Sequence, residues 1–372
     1  MRRTLLTLHR YLSLTLLAVW LIQALTGVLN VYHRELGDAA LGARDATVDI
    51  DALGAGIERL EATRPRVSSI YAGGGARGQF DVFVRDESDA TRVVRIDARG
   101  QPLRERPWAA SLGEAGLLQT SRLIHETLLA GDYGLTFVGL SGLLLLTNLV
   151  LALKLAWPRR GTWRRSLRPV SSGGAPAVAY SWHRAIGLWF GLPAAVFVAA
   201  GVLTAFGGPL ESAFGPVAPE PQIASVAAAV PRAVSPAQAM YIALDRYPGA
   251  QLSIVNLPDA QTPWYRVRLL QPGEPRRVFG TTTLFVHKAT GEILADYDAR
   301  AEPVQIRLLN VFYAVHTGEW LGESGRVLSL MTGLWLTGML GLGATLWWVR
   351  RRSRRARAPV PKAVASRESV RG

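Results

Sequence analysis

The chain has 372 residues, 49% of them hydrophobic and 19% charged, a mixture that suits a protein half in a membrane and half in water. It contains no cysteine, which excludes thiolate chemistry, disulfides and iron–sulfur clusters. Its net charge of +14 is concentrated in residues 1–10, 154–170 and 350–372, which together hold eighteen Lys and Arg and one acid; the rest of the chain is −3, so the basic residues flank apolar segments and argue against a nucleic-acid partner.

Four segments are apolar and long enough to cross a bilayer core of about 30 Å: residues 12–32, 135–155, 186–206 and 327–349. The basic stretches flank them on one side. The positive-inside rule therefore puts both termini in the cytoplasm and the long loops, about 34–132 and 207–320, in the periplasm or exterior. The first helix follows a basic start, but its apolar run exceeds a usual signal-peptide core and is read as retained.

Residues 1–36 form the first transmembrane helix. His9-Arg10 opens it on the cytoplasmic side and His33 closes it on the far side. At 1.5 Å per residue the two rings lie roughly 36 Å apart, so a single helix offers imidazoles to both interfacial zones. Residues 46–105 form the first outer insert, with helical spacing over 50–63, alternating runs at 67–71, 79–84 and 91–96, and a turn at Asp97-Ala98-Arg99-Gly100. Residues 117–157 hold an outer helix with His125 and the second transmembrane helix. A basic cytoplasmic loop, 158–179, has a flexible centre at Ser171-Ser172-Gly173-Gly174.

Residues 180–210 repeat the opening of the chain. His183-Arg184 stands where His9-Arg10 stood, and Pro193 is expected to kink the third helix. Residues 235–300 form the second insert, with a helix from Ser235-Pro236 to about Tyr247 and strand-like runs at 252–256, 264–270, 281–287 and 292–297. His287, on one of these runs, is assigned a structural role. Residues 305–350 carry an outer helix with His316 and the fourth transmembrane helix; 351–372 are a basic tail. The fold class is a polytopic α-helical membrane protein, with four main transmembrane helices in two repeated halves (about 1–157 and 180–352) and two α+β periplasmic inserts.

The repeat pairs His9 with His183 on the cytoplasmic side and His125 with His316 on the outer side. Two imidazoles from facing helices at one membrane depth can ligate a haem iron axially, and the chain offers that arrangement twice. Nearby glycines, Gly27, Gly139, Gly142, Gly187, Gly191, Gly201, Gly333 and Gly338, leave room for a flat macrocycle or for close helix packing. Arg10 and Arg184 stand where propionates would emerge, or simply obey the positive-inside rule. His33 has no histidine counterpart, since Gly207-Gly208 occupies the matching place; it is an alternative outer ligand or faces a substrate. Competing uses of the histidines are snorkelling to headgroups and a zinc site. No dinucleotide fingerprint, Walker A, H-E-x-x-H or G-x-S-x-G is present, so any electrons from a nicotinamide must arrive through a quinol or another protein.

Three stretches carry a resemblance: LHRYLSLTLLAVWLIQALTGVLNVYHRELG at the start, SWHRAIGLWFGLPAAVFVAAGVLTAF in the middle, and HTGEWLG before the last helix. With them the chain resembles the PepSY-associated transmembrane family over about residues 1–352, and SPAQAMYIALDRYPGAQL, YRVRLL and LFVHKATGEIL resemble a PepSY domain. The resemblance implies a protein of the bacterial inner membrane, similar to di-haem reductases of ferric siderophores. It implies haem b, two per chain, ligated by His9, His183, His125, His316 and His33. The expected function is transmembrane electron transfer from a quinol or reductase to a ferric siderophore or other ferric chelate. The alternatives are a non-enzymatic, membrane-anchored PepSY binding or regulatory module and, third, an iron or siderophore transporter. The latter predicts charged groups inside the spans, which contain almost none beyond the polar Gln23 and Asn148.

Overall fold

The computed structural model describes residues 2–110, 113, 116–214, 218–221, 231–274 and 279–356; the basic tail thus lies mostly outside the described residues. The first half contains α1 (Arg2–Thr15), α2 (Leu17–Asn30), α3 (His33–Ala40) and α4 (Ile50–Thr63). Strands β1 (Arg66–Ala72), β2 (Phe80–Arg85), β3 (Thr91–Ile96) and β4 (Pro102–Pro107) follow, then α5 (Gly116–Thr127), α6 (Gly131–Ala156) and α7 (Trp163–Ser166). The second half runs α8 (Ala175–Ala205), α9 (Gly207–Phe214), α10 (Pro236–Arg246), β5 (Gln251–Asn256), β6 (Trp264–Leu270), β7 (Thr282–His287) and β8 (Ile293–Tyr297). It ends with α11 (Val304–Thr317) and α12 (Gly322–Ala356).

Helices α6, α8 and α12 are each long and apolar enough to cross a membrane, and α1 and α2, bent by 66° at their junction, add a fourth if the pair is one span. At the bend the Ser13 hydroxyl donates to the His9 carbonyl at 2.7 Å and the Thr15 hydroxyl to the Tyr11 carbonyl at 2.5 Å, back-bonds that favour bending there. The straight 36 Å helix expected between His9 and His33 is therefore corrected to two helices, with His33 opening a third, α3. The expected kink at Pro193 leaves no break, since α8 runs through it, and α8 begins at Ala175 rather than 180.

The two inserts form one sheet rather than two domains. Its order is β4-β3-β2-β1-β5-β6-β7-β8, antiparallel at every joint, and β1 meets β5 with Ser69 opposite Asn256 and Tyr71 opposite Ile254. Strand β4 has no alternating apolar pattern: PLRERP is an edge strand, framed by prolines and carrying charge, as unpaired edges commonly do. Helices α4 and α10 pack together over one face of the sheet. Their Leu53, Ile57 and Met240 meet Ile70, Val82, Val84, Val255, Val267 and Leu284 in one core. Asp49 caps α4 by accepting from the Ala52 amide, and α10 begins with a capping box between Ser235 and Gln238.

Alternation then decides what the other face offers. With Phe80, Val82 and Val84 in the core, Asp81, Phe83 and Arg85 stand on the opposite side. That face meets the helical bundle through α3, where the buried Asp38 bonds Arg95 at 2.6 Å and the Ala76 amide at 2.8 Å. In the bundle, α8 packs on α6, α11 and α12, while α2 packs on α5 and α12. Trp20, Leu145, Leu149, Ala194 and Leu340 form its apolar centre.

Candidate functional site

The four repeat-related histidines meet in the pairs their positions suggest. The His9 and His183 ring centroids lie 6.4 Å apart, and those of His125 and His316 lie 6.1 Å apart with planes 20° from parallel. Two metal–nitrogen bonds of about 2 Å and two ring radii of about 1.1 Å place centroids about 6.2 Å apart across one shared iron. Both pairs match that spacing. Gly201, which touches His316, is eighteen residues along α8 from His183, so the pairs are about 27 Å apart along the helix.

The outer pair is seated by glycines. A Cβ on Gly27 would stand 3.0 Å from His125 Cε1, and one on Gly201 would stand 2.6 Å from His316 Cε1. Without side chains there, each imidazole reaches a carbonyl one turn earlier: His125 Nδ1 lies 3.0 Å from the Gln23 oxygen and His316 Nδ1 2.9 Å from the Phe197 oxygen. A carbonyl only accepts, so Nδ1 carries the proton and Nε2 keeps its lone pair. The two seats share the 174-residue offset that relates His9 to His183. At the other end, His9 Nδ1 bonds Asn148 Oδ1 at 2.9 Å, while Asn148 Nδ2 donates to the Ser13 hydroxyl at 2.9 Å. The His183 Nδ1 atom is buried without a partner. Metal-bound histidines characteristically donate their second nitrogen in this way, and three of the four do so here.

Among the described residues, no cluster of three or more His, Cys, Asp or Glu is arranged to hold a metal ion. Two axial nitrogens suffice for a haem, whose macrocycle supplies the other four, whereas structural zinc takes four protein ligands. The donor set fits a haem at each pair.

Beyond the outer pair a cavity of about 850 Å³ opens between bundle and sheet, with His33, His125 and His316 on its wall. His33 Nδ1 is turned to the Asn30 carbonyl at 2.6 Å. Four aromatic rings run in a row along the sheet side of the cavity: Trp108 to Phe83 and Phe83 to Tyr71 at 5.0 Å each, then Tyr71 to Phe279 at 5.8 Å. Arg122 lies over Trp108 at one end and Arg34 over Phe279 at the other. Six arginines and three carboxylates line the cavity, an excess of three positive charges.

The remaining candidates are placed elsewhere. Arg184 donates to the Ala156 carbonyl at 3.1 and 3.2 Å, closing the end of α6, and Arg10 is exposed over Tyr11. His287 Nδ1 accepts from the Thr290 amide at 3.2 Å within its own turn. Of the glycines, Gly139 faces Phe206, Gly142 faces Val202, Gly191 faces Leu153 and Gly333 faces Val28, which is helix packing.

Sequence reasoning named Gln23 and Asn148 only as polar residues within the spans; each proves to serve a histidine, Gln23 with its backbone carbonyl and Asn148 with its side chain. The arginines and aromatics of the cavity gave no signal, because they come from helices, strands and loops far apart in the chain.

No curated protein matches the chain significantly. The family model described as the PepSY-associated TM region matches residues 6–350, and with these helices and this sheet the chain belongs to that family.

Proposed function

We propose that the protein is an inner-membrane haem-b electron carrier that reduces ferric iron, held as a siderophore or other chelate, in the cavity between bundle and sheet. The observation that carries the reading is the spacing of the two histidine pairs, 6.4 and 6.1 Å, at opposite ends of one bundle. Each haem would supply reversible one-electron chemistry. His9 and His183 would hold one and His125 and His316 the other, and the two repeated halves each contribute one ligand to each pair.

The chain's own part is positioning. Asn148, Gln23 and Phe197 fix three imidazoles in the tautomer that offers Nε2. The apolar centre of Trp20, Leu145, Leu149, Ala194 and Leu340 packs the helices between the pairs, and Trp20 and Leu145 also form the floor of the cavity. The aromatic row and the arginines give a chelate a surface on which to rest beside the outer pair. Losing an electron to such a chelate is useful because Fe²⁺ suits hard oxygen ligands less well.

Arg350 lies over Tyr180, so the basic end of α12 meets the start of α8 beside the basic loop and the His9–His183 pair. That supports cytoplasmic termini, a periplasmic sheet and a donor, quinol or reductase, acting at the first pair.

The test is an absorption spectrum of detergent-purified protein, oxidised and dithionite-reduced, with a haem count. About two haems per chain are expected, and His183→Ala and His316→Ala should each remove a different one. A colourless protein from haem-replete cells would overturn the reading in favour of a non-enzymatic PepSY binding module.

A further inference from the structure

The cavity holds a polar feature that the histidine pairs do not use. Arg106, at the end of β4, and Arg122, one turn before His125 on α5, both line it. Arg106 has one weak partner, Asp81 at 3.6 Å, and its Nη1 is buried with no acceptor. Arg122 bonds Glu126 at 2.5 Å through Nη1, and its Nη2 is likewise buried with no acceptor. Burial lowers the pKa of the Arg106 guanidinium, Asp81 opposes that effect, and Arg104, Arg95 and Arg122 add to it. Like charges lining one cavity, with buried donors unsatisfied, cost stability unless an anion joins them.

A guanidinium fork matches a carboxylate, and Trp108 under Arg122 fixes the plane of one fork. Asp81 is the only carboxylate paired with Arg106 among the described residues, and it is shared with Arg95 at 2.8 Å.

We propose that Arg106 and Arg122 form a carboxylate-binding site on the cavity wall, so that the ligand of this chamber carries free acid groups. The acid comes either from the chelate or from a propionate of a macrocycle held by His125 and His316. The inference rests on the reading above in taking the cavity as a ligand chamber, but not on haem being present.

The experiment uses the full chain in detergent, wild type against Arg106→Gln, Arg122→Gln and Arg106→Lys, with Arg77→Gln, exposed and outside the cavity lining, as control. Binding is measured for two redox-silent probes, gallium(III)–citrate and an uncharged gallium(III)–trihydroxamate. Haem retention is measured in parallel by transfer to an apo-globin acceptor. If the acid belongs to the chelate, both glutamine variants weaken citrate-complex binding about 10- to 100-fold, leave the trihydroxamate unchanged and keep their haem. If it belongs to the macrocycle, probe binding is unchanged, haem transfers at least about tenfold faster, and reconstitution with haem dimethyl ester abolishes the difference between wild type and variants. Arg106→Lys should fall between wild type and Arg106→Gln, since it keeps the charge and loses the fork.

Equal weakening of both probes, or no change in either probe or in haem retention, overturns the proposal. Should the variants fail to fold, the wild type decides: salt-sensitive preference for the citrate complex over the trihydroxamate, or slower transfer of haem than of haem dimethyl ester, supports the site, and the absence of both overturns it. A colourless protein that binds citrate through Arg106 would sink the haem reading and leave this site standing. A two-haem protein indifferent to both arginines would do the reverse.

Discussion

At the scale of single residues, the site depends on what is missing as much as on what is present. Gly201 has no Cβ because His316 occupies that space 2.6 Å away, closer than an ordinary Cβ contact. Gly201→Ala should therefore displace the ring from the Phe197 carbonyl and lower the haem count toward one per chain. Gly338→Ala, in open space, should leave the count unchanged. Asn148 acts through His9 rather than on a substrate. Asn148→Ala removes the acceptor at His9 Nδ1, and loss of such a partner typically weakens metal binding 10- to 100-fold. The expected result is weaker retention of the haem at the His9–His183 pair, with the other haem unaffected, read from spectra of wild type and of His316→Ala. Asn148→Asp, which keeps the acceptor, should retain that haem better than Asn148→Ala.

At the scale of elements, short local signals decide where helices start, stop and bend. Gly318 ends α11 at φ +82°, and the backbones of Gly318 and Gly325 then approach too closely for a side chain on either. This is the physical content of the HTGEWLG stretch: it turns the chain sharply enough for His316 to stay against α8. Just before α11, Glu302 accepts from Asn310 at 3.3 Å, and burial, reinforced by Glu274 and Asp298, pushes its carboxyl up to about 7. The folded state thus favours the protonated acid. Its contribution to stability is full below the unfolded value of about 4.5 and is lost as pH rises through about 7. Thermal melts between pH 4.5 and 8 should show that loss, and Glu302→Gln, neutral throughout, should reduce it. An unaltered pH profile in the variant would count against the assignment.

At the scale of the whole molecule, one sheet joins the two halves above one bundle. The joint is the β1–β5 pair, where Ser69 faces Asn256. Facing residues of antiparallel strands have Cα atoms about 4.5–5.5 Å apart, within disulfide reach. Because the chain has no cysteine of its own, Ser69→Cys with Asn256→Cys makes a clean test. Mild oxidation followed by denaturation should leave both thiols protected from alkylation, measured by mass, whereas each single variant, one of them at the buried Ser69, should be alkylated once unfolded. Free thiols in the double variant would mean that the inserts are separate domains, and the chamber beneath the sheet would lose its roof.

The sequence by itself determined the apolar spans, the alternation of seven of the eight strands and the histidines that belong together, because each is written in local periodicity, charge or an internal repeat. Edge strand β4, with its prolines and charges, carries no such period. The tertiary structure alone decided that the two inserts share a sheet, that the carbonyls of Gln23 and Phe197 receive the outer histidines, and that Arg106 and Arg122 line one cavity with them. The physical reason is common to all three. Each contact joins groups about a hundred residues apart or on separate elements, and pairing of edges, exposure of a carbonyl beside a glycine and crowding of like charges exist only once the chain has been brought together.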